Sequence, residues 1–110
     1  MYLQNGKAAL VKVTDEDMLN TGAKKSDADG IVEFVRDIQG VELAVLLKEK
    51  GKETRISTRS KKQIDCTKIV GHFEGGGHIR AAGGTIKLPI NQAEKEVIKV
   101  IEEEFKCLEF

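Results

Sequence analysis

The sequence predicts an α/β fold, a single compact domain with a small mixed sheet of about four to five strands flanked by helices. Three observations lead there. Short apolar or alternating runs at residues 8–13, 41–47, 53–60 and 82–88 are separated by stretches whose apolar residues recur at helical spacing. Glycine or proline punctuates nearly every connection. A chain of 110 residues with 40% hydrophobic and 33% charged content has the size and composition of one ordinary globular domain.

The elements follow in order. Residues 8–13, Ala-Ala-Leu-Val-Lys-Val, read as a first strand. Thr14, followed by Asp15, Glu16 and Asp17, offers a cap with acids in the first turn, starting a short helix that Gly22 ends. Ser26 and Asp29 have capping-box spacing. Behind them Ile31, Phe34, Val35 and Ile38 fall at i, i+3, i+4 and i+7, one helical face closed by Gly40. Residues 41–47 are a nearly continuous apolar run, the pattern of a strand covered on both sides.

Lys50-Gly51-Lys52 reads as a hairpin turn leading into a strand over 53–60. Because alternate strand residues share a face, Arg55, Ser57 and Arg59 line one side and Ile56 and Thr58 the other. An Arg/Ser/Arg face is too polar to be core. Residues 65–73 should form a short helix with Ile69 and Val70 inward, and residues 82–88 a strand stopped by Pro89. Asn91 to Glu94 then cap a last helix with Val97, Ile98, Ile101 and Phe105 as its buried stripe.

Several function classes are excluded by composition. There is no apolar run of about 18 residues, so no membrane span is expected. Residues 1–7 lack the basic and apolar regions of a secretory signal. Cys66 and Cys107 are far apart and read as reduced thiols, so the expected location is the cytoplasm. Formal net charge is zero, yet residues 52–80 hold seven cations (Lys52, Arg55, Arg59, Lys61, Lys62, Lys68, Arg80) against Glu53, Asp65 and Glu74. A local basic patch on a neutral domain suits a short anionic ligand better than a long duplex.

The run Gly75-Gly76-Gly77-His78-Ile79-Arg80-Ala81-Ala82-Gly83-Gly84 has the strongest functional content. Alone, such a run reads as a tight turn. Glycines can also aim successive N–H groups at one anion and let a ligand approach the backbone. The spacing matches neither the phosphate loop ending in Gly-Lys-Ser/Thr nor the dinucleotide fingerprint. A strand–helix–loop–strand path can carry Arg59, Ser60, His78 and Arg80 to one edge of the sheet. Arginine there supplies a planar fork for phosphate, and Ser60 and the loop amides supply further donors.

Three segments together, residues 56–61 (Ile-Ser-Thr-Arg-Ser-Lys), 64–69 (Ile-Asp-Cys-Thr-Lys-Ile) and 75–83, carry a specific resemblance. The chain resembles the DHH-associated domain, type 1, the C-terminal domain of DHH-family phosphoesterases. It is most similar in feel to nanoRNA-degrading oligoribonucleases that also dephosphorylate phosphoadenosine phosphate (pAp), with RecJ-like enzymes as relatives. Thr14 to Leu19, Thr21 to Ala23 and Asp29 to Val32 share the likeness, which covers roughly residues 8–105 of the single domain at 1–110.

The resemblance implies a division of labour. An N-terminal DHH catalytic domain would hold divalent metal, manganese in the usual case, while this domain clamps the substrate's phosphate and base. Its substrate-binding set, carried over by position, is Arg59, Ser60, Gly75, Gly76, Gly77, His78 and Arg80, with Ser57 and Arg55 as outer members. The implied ligands are short single-stranded nucleic acid, nanoRNA or pAp, and a homodimer is compatible with them. The chain has no Asp-His-His motif and its two histidines, His72 and His78, lack an acidic cluster, so no catalytic residue, metal or cofactor is expected in it. Glu74 stands where the family often has another glycine. Related domains also end alanyl-tRNA synthetases, which keeps an oligomerisation or tRNA/protein-interaction module as the alternative. A free-standing enzyme using Ser57, Ser60 or Cys66 as nucleophile lacks any acid/base partner.

Overall fold

A computed structural model describes residues 1–17 and 27–108, with residues 27–29 as backbone only. Six strands form one mixed sheet: β1 (Tyr2–Leu3), β2 (Ala8–Val13), β3 (Leu43–Lys50), β4 (Glu53–Ser60), β5 (Gly76–His78) and β6 (Ala81–Ile86). Helix α1 (Asp27–Arg36) links β2 to β3, α2 (Cys66–Val70) follows β4, and α3 (Ile90–Lys106) closes the described chain. The strand order is β1-β2-β3-β4-β6-β5. Only β2 and β3 pair parallel, as expected of two strands joined through a helix.

The apolar run at β3 sits centrally because both its faces are covered. Leu43, Val45 and Leu47 join Ala8, Leu10, Ile56, Ala82 and Ile86 in a core closed by α2 and α3. Ala44 and Leu46 point the other way, to Val32, Val35 and Val41, the smaller core under α1. Burying residues such as Leu46 and Leu47 contributes about 1.5–3 kcal/mol each. Among the described residues the second face is covered by α1, which packs on β3 and β4 and more lightly on β2. No described helix packs on the β6–β5 edge of this face.

The fold class stands, with corrections in detail. The two additional strands, β1 and β5, are two and three residues long, and β5 is built from Gly-Gly-His, which no strand propensity favours. The glycine run is therefore a β-hairpin, not a loop. The strand expected over 41–47 runs from Leu43 to Lys50, with Val41 still buried under α1. Phe34, placed inward by periodicity, is exposed, and Val32 takes the buried position beside Val35. The last helix begins at Ile90 behind Pro89, so Asn91 is not its cap. The helix expected over 65–73 is α2 plus a 3₁₀ turn at Gly71–Phe73, capped by Asp65. The expected stop at Gly22 and cap at Ser26 lie outside the described residues.

Candidate functional site

Residues facing one another across strands share a face, so pairing alone builds the open half of the sheet. Arg59 opposes Ala81, which opposes His78. Ser57 opposes Gly83, which opposes Gly76. Arg55 opposes Thr85. These three rows continue into β3 at Ala44, Leu46 and Lys48, where α1 covers the first two. The result is a shallow trough with a floor of bare backbone at Gly76 and Gly83. Arg59 and His78 lie along one wall and Arg55 and Lys48 along the other. Two strand spacings separate Arg59 from His78, about 10 Å, enough for a phosphate and a sugar to lie between them.

The glycines of the hairpin are not equivalent. A Cβ on Gly75 would stand 2.7 Å from the Gly83 carbonyl oxygen, and one on Gly83 would stand 2.9 Å from that of Ile56. A Cβ on Gly84 would meet the Gly75 Cα at 2.9 Å, and Gly77 has φ near +144° with the Ala81 carbonyl 2.8 Å from its missing Cβ. All four are required by strand packing. A Cβ on Gly76 meets nothing within 4 Å. The fold does not need glycine there.

Arg59 is held in place. Its Nη1 donates to the Thr58 carbonyl at 2.8 Å, and its Nε lies 3.7 Å from the Glu33 carboxylate on α1. The Arg55 guanidinium lies above Gly83, with Nη2 3.9 Å from where a Cβ would be. Ser57 is half-buried and His78 is exposed.

The other named residues take different places. Ser60, next to Arg59 in the strand, faces the opposite side and is 3% exposed. Its hydroxyl donates to the Ile64 carbonyl at 2.6 Å, with that of Ile79 at 3.3 Å. Arg80 donates from Nη1 to the Ile64 carbonyl at 2.6 Å and from Nη2 to the Lys62 carbonyl at 2.7 Å, with the Ser60 oxygen 3.4 Å away. The structure thus brings Arg55, Ser57, Arg59, Gly76, Gly83 and His78 to one face. Ser60 and Arg80 instead tie residues 61–65 to the hairpin, whose Ile79 carbonyl also accepts from the Cys66 amide at 2.7 Å. Gly75 and Gly77 shape that hairpin, and Glu74 turns into it with φ near +61°.

Lys48 and Glu33 were missed by sequence reasoning. Lys48 could have been found by counting back from the turn, since Lys50 pairs with Glu53 and each step back pairs Glu49 with Thr54 and Lys48 with Arg55. Nothing local placed Glu33 against Arg59.

Asp65 has its carboxyl held below the ordinary range, chiefly by the Thr67 hydroxyl donating to it; burial opposes this, and the Thr67 amide, Lys68 and Arg80 assist. Among the described residues no three His, Cys, Asp or Glu side chains converge as metal ligands. No described helix is long and apolar enough to cross a membrane.

The sequence profile of the DHHA1 domain matches residues 5–106. The chain is 33% identical over 86 residues to the bifunctional oligoribonuclease and PAP phosphatase NrnA of Thermus thermophilus, covering 77% of this chain and 26% of that protein. Its fold is similar to the crystal structure of an exopolyphosphatase-related protein from Bacteroides fragilis, with a TM-score of 0.78 and 27% identity, over 96% of this chain and 30% of the other. It is also similar in fold to the C-Ala domain of Aquifex aeolicus alanyl-tRNA synthetase, with a TM-score of 0.64 at 12% identity, covering 84% of this chain and 88% of that domain. The chain therefore spans under a third of the length of the first two.

Proposed function

The chain belongs to the DHHA1 domain family, and from that premise we propose that it is the substrate-binding domain of a DHH-family phosphoesterase. The trough would take the phosphate and base of a short oligoribonucleotide or a pAp-like nucleotide. A separate metal-dependent DHH domain, with manganese as the expected metal, would hydrolyse it. Arg59 and Arg55 neutralise phosphate, Ser57 orients it, and His78 contacts phosphate or base at the far wall. Ser60 and Arg80 hold the hairpin that carries His78, and the expected location remains the cytoplasm.

One observation carries this reading: Gly76 is a glycine the fold does not require, and it lies on the floor between those side chains. Keeping a side chain off that floor makes sense when something must lie on it. The relationship to an oligoribonuclease and PAP phosphatase supports the choice of ligand class.

The test is calorimetric titration of the chain with pAp and with a 5′-phosphorylated triribonucleotide. Gly76→Val should keep the fold, since its Cβ enters open space and valine favours strands, yet it should block the floor. Arg59→Ala and His78→Ala should each weaken binding by about 1–3 kcal/mol, the scale of a lost charged hydrogen bond. If all three variants keep their circular dichroism spectrum and bind as the parent does, the assignment is wrong.

A further inference from the structure

We infer that Glu33 tunes which phosphate the trough accepts, penalising a doubly charged terminal phosphate more than a singly charged phosphodiester. The inference rests on the proposed binding face and deepens it by separating ligands according to phosphate charge.

The acid is placed by the fold. Glu33 lies between Val32 and Val35, which are buried against the sheet and fix α1 over β3. Its carboxylate lies 3.7 Å from the Arg59 Nε. The two partners differ in freedom: the Arg59 side chain is 16% exposed and anchored to the Thr58 carbonyl, whereas that of Glu33 is 51% exposed. An arriving phosphate can therefore displace the carboxylate from Arg59, but α1 keeps it at the rim of the site.

Any anion binding at Arg59 gains attraction from Arg59, Arg55 and Lys48 and meets repulsion from Glu33. The repulsive part grows in proportion to ligand charge. With the carboxylate about 6 Å away in a water-like medium, each additional negative charge on the ligand lowers affinity about threefold. A terminal phosphate carries nearly two charges at pH 8, because its second pKa is near 6, whereas an internal diester carries one. Glu33 thus offsets much of the advantage that a dianion would otherwise take from the cations. The preference of the site for a terminal dianion over an internal diester is therefore smaller than the cations alone would give, which keeps short oligonucleotides held through an internal linkage competitive with pAp-like molecules.

Adenosine 5′-monophosphate and its methyl ester differ in that one charge while sharing base and sugar, so the pair isolates the effect. The chain, Glu33→Gln and Arg59→Ala are titrated with both at pH 8 and low salt. Glu33→Gln should raise affinity for the monophosphate about threefold more than for the ester, and Arg59→Ala should weaken both. Equal gains for the two ligands, or none, with Arg59→Ala still weakening both, overturn the role of Glu33 and leave the binding face standing. Binding of neither ligand by the chain or by Glu33→Gln overturns the face and the inference together. Binding of the monophosphate by Glu33→Gln alone supports both.

Discussion

Two arginines of the same region separate cleanly by what their guanidinium groups do. Arg80 donates to the carbonyls of Ile64 and Lys62 and so pins the segment before α2 to the β5–β6 hairpin. Arg59 lies over the open trough beside Glu33. Arg80→Ala should therefore lower the stability of the chain by about 1–2 kcal/mol, the cost of losing two partly exposed charged hydrogen bonds. Arg59→Ala should cost less, about 1 kcal/mol, because it gives up one hydrogen bond to the neighbouring Thr58 carbonyl and a 3.7 Å contact with the half-exposed Glu33, while losing ligand. Thermal melts with and without pAp separate the two roles, and a large stability loss in Arg59→Ala would reverse the assignment. The polar row Arg55, Ser57, Arg59 was legible from the sequence because strand alternation is a local rule. The carbonyl partners of Arg80 were not, since residues 62 and 64 reach it only when the hairpin folds back. Ser60 shows both sides of this: it shares a motif with Arg59, yet the same alternation turns it into the core.

Between strand and hairpin stands α2, only five residues long and dependent on its cap. Asp65 accepts from the Thr67 amide at 2.9 Å and from the Thr67 hydroxyl, and the next amide, that of Cys66, donates to Ile79 in the hairpin turn. Removing the cap with Asp65→Ala should cost about 1 kcal/mol and loosen the element that carries His78. The pH dependence has a definite sign. The folded carboxyl is held below its ordinary value of 3.8, so the native state stabilises the ionised form. Its contribution is complete above the unfolded pKa and is lost as pH falls through the folded one. Denaturant melts between pH 6 and about pH 3 should thus show a narrowing gap between the chain and Asp65→Ala; a constant gap would mean that the charge plays no part. Element by element, strong patterns were readable and weak ones were not. β3 and α3 announced themselves by continuous or helical apolar spacing, whereas β5 is Gly-Gly-His and is a strand only because β6 lies beside it. Phe34 fits the helical period, yet Val32 and Val35 take the buried side of α1 and the Phe34 ring stays exposed.

At the scale of the molecule, the two faces of the sheet divide the work. One is closed by α2 and α3 and holds the larger core. The other is covered in part by α1, and among the described residues the remainder presents Lys48, Arg55, Ser57, Arg59 and His78 around a glycine floor. Binding a phosphate and hydrolysing it call for different groups. Two-metal hydrolysis needs several carboxylates and imidazoles around a shared point, and none converge among the described residues. On the proposed division of labour, binding and chemistry separate in this chain. Mixed with manganese and a 5′-phosphorylated triribonucleotide, it should bind the RNA and leave it intact over hours. Supplying a DHH domain, fused ahead of the same sequence, should start release of mononucleotides. That release should then fall in Gly76→Val and Arg59→Ala through KM before kcat, because these residues act on the bound substrate rather than on the reacting bond. Mononucleotide release by the chain alone would place a catalytic centre within these 110 residues, and the open face would have to be re-read as part of it.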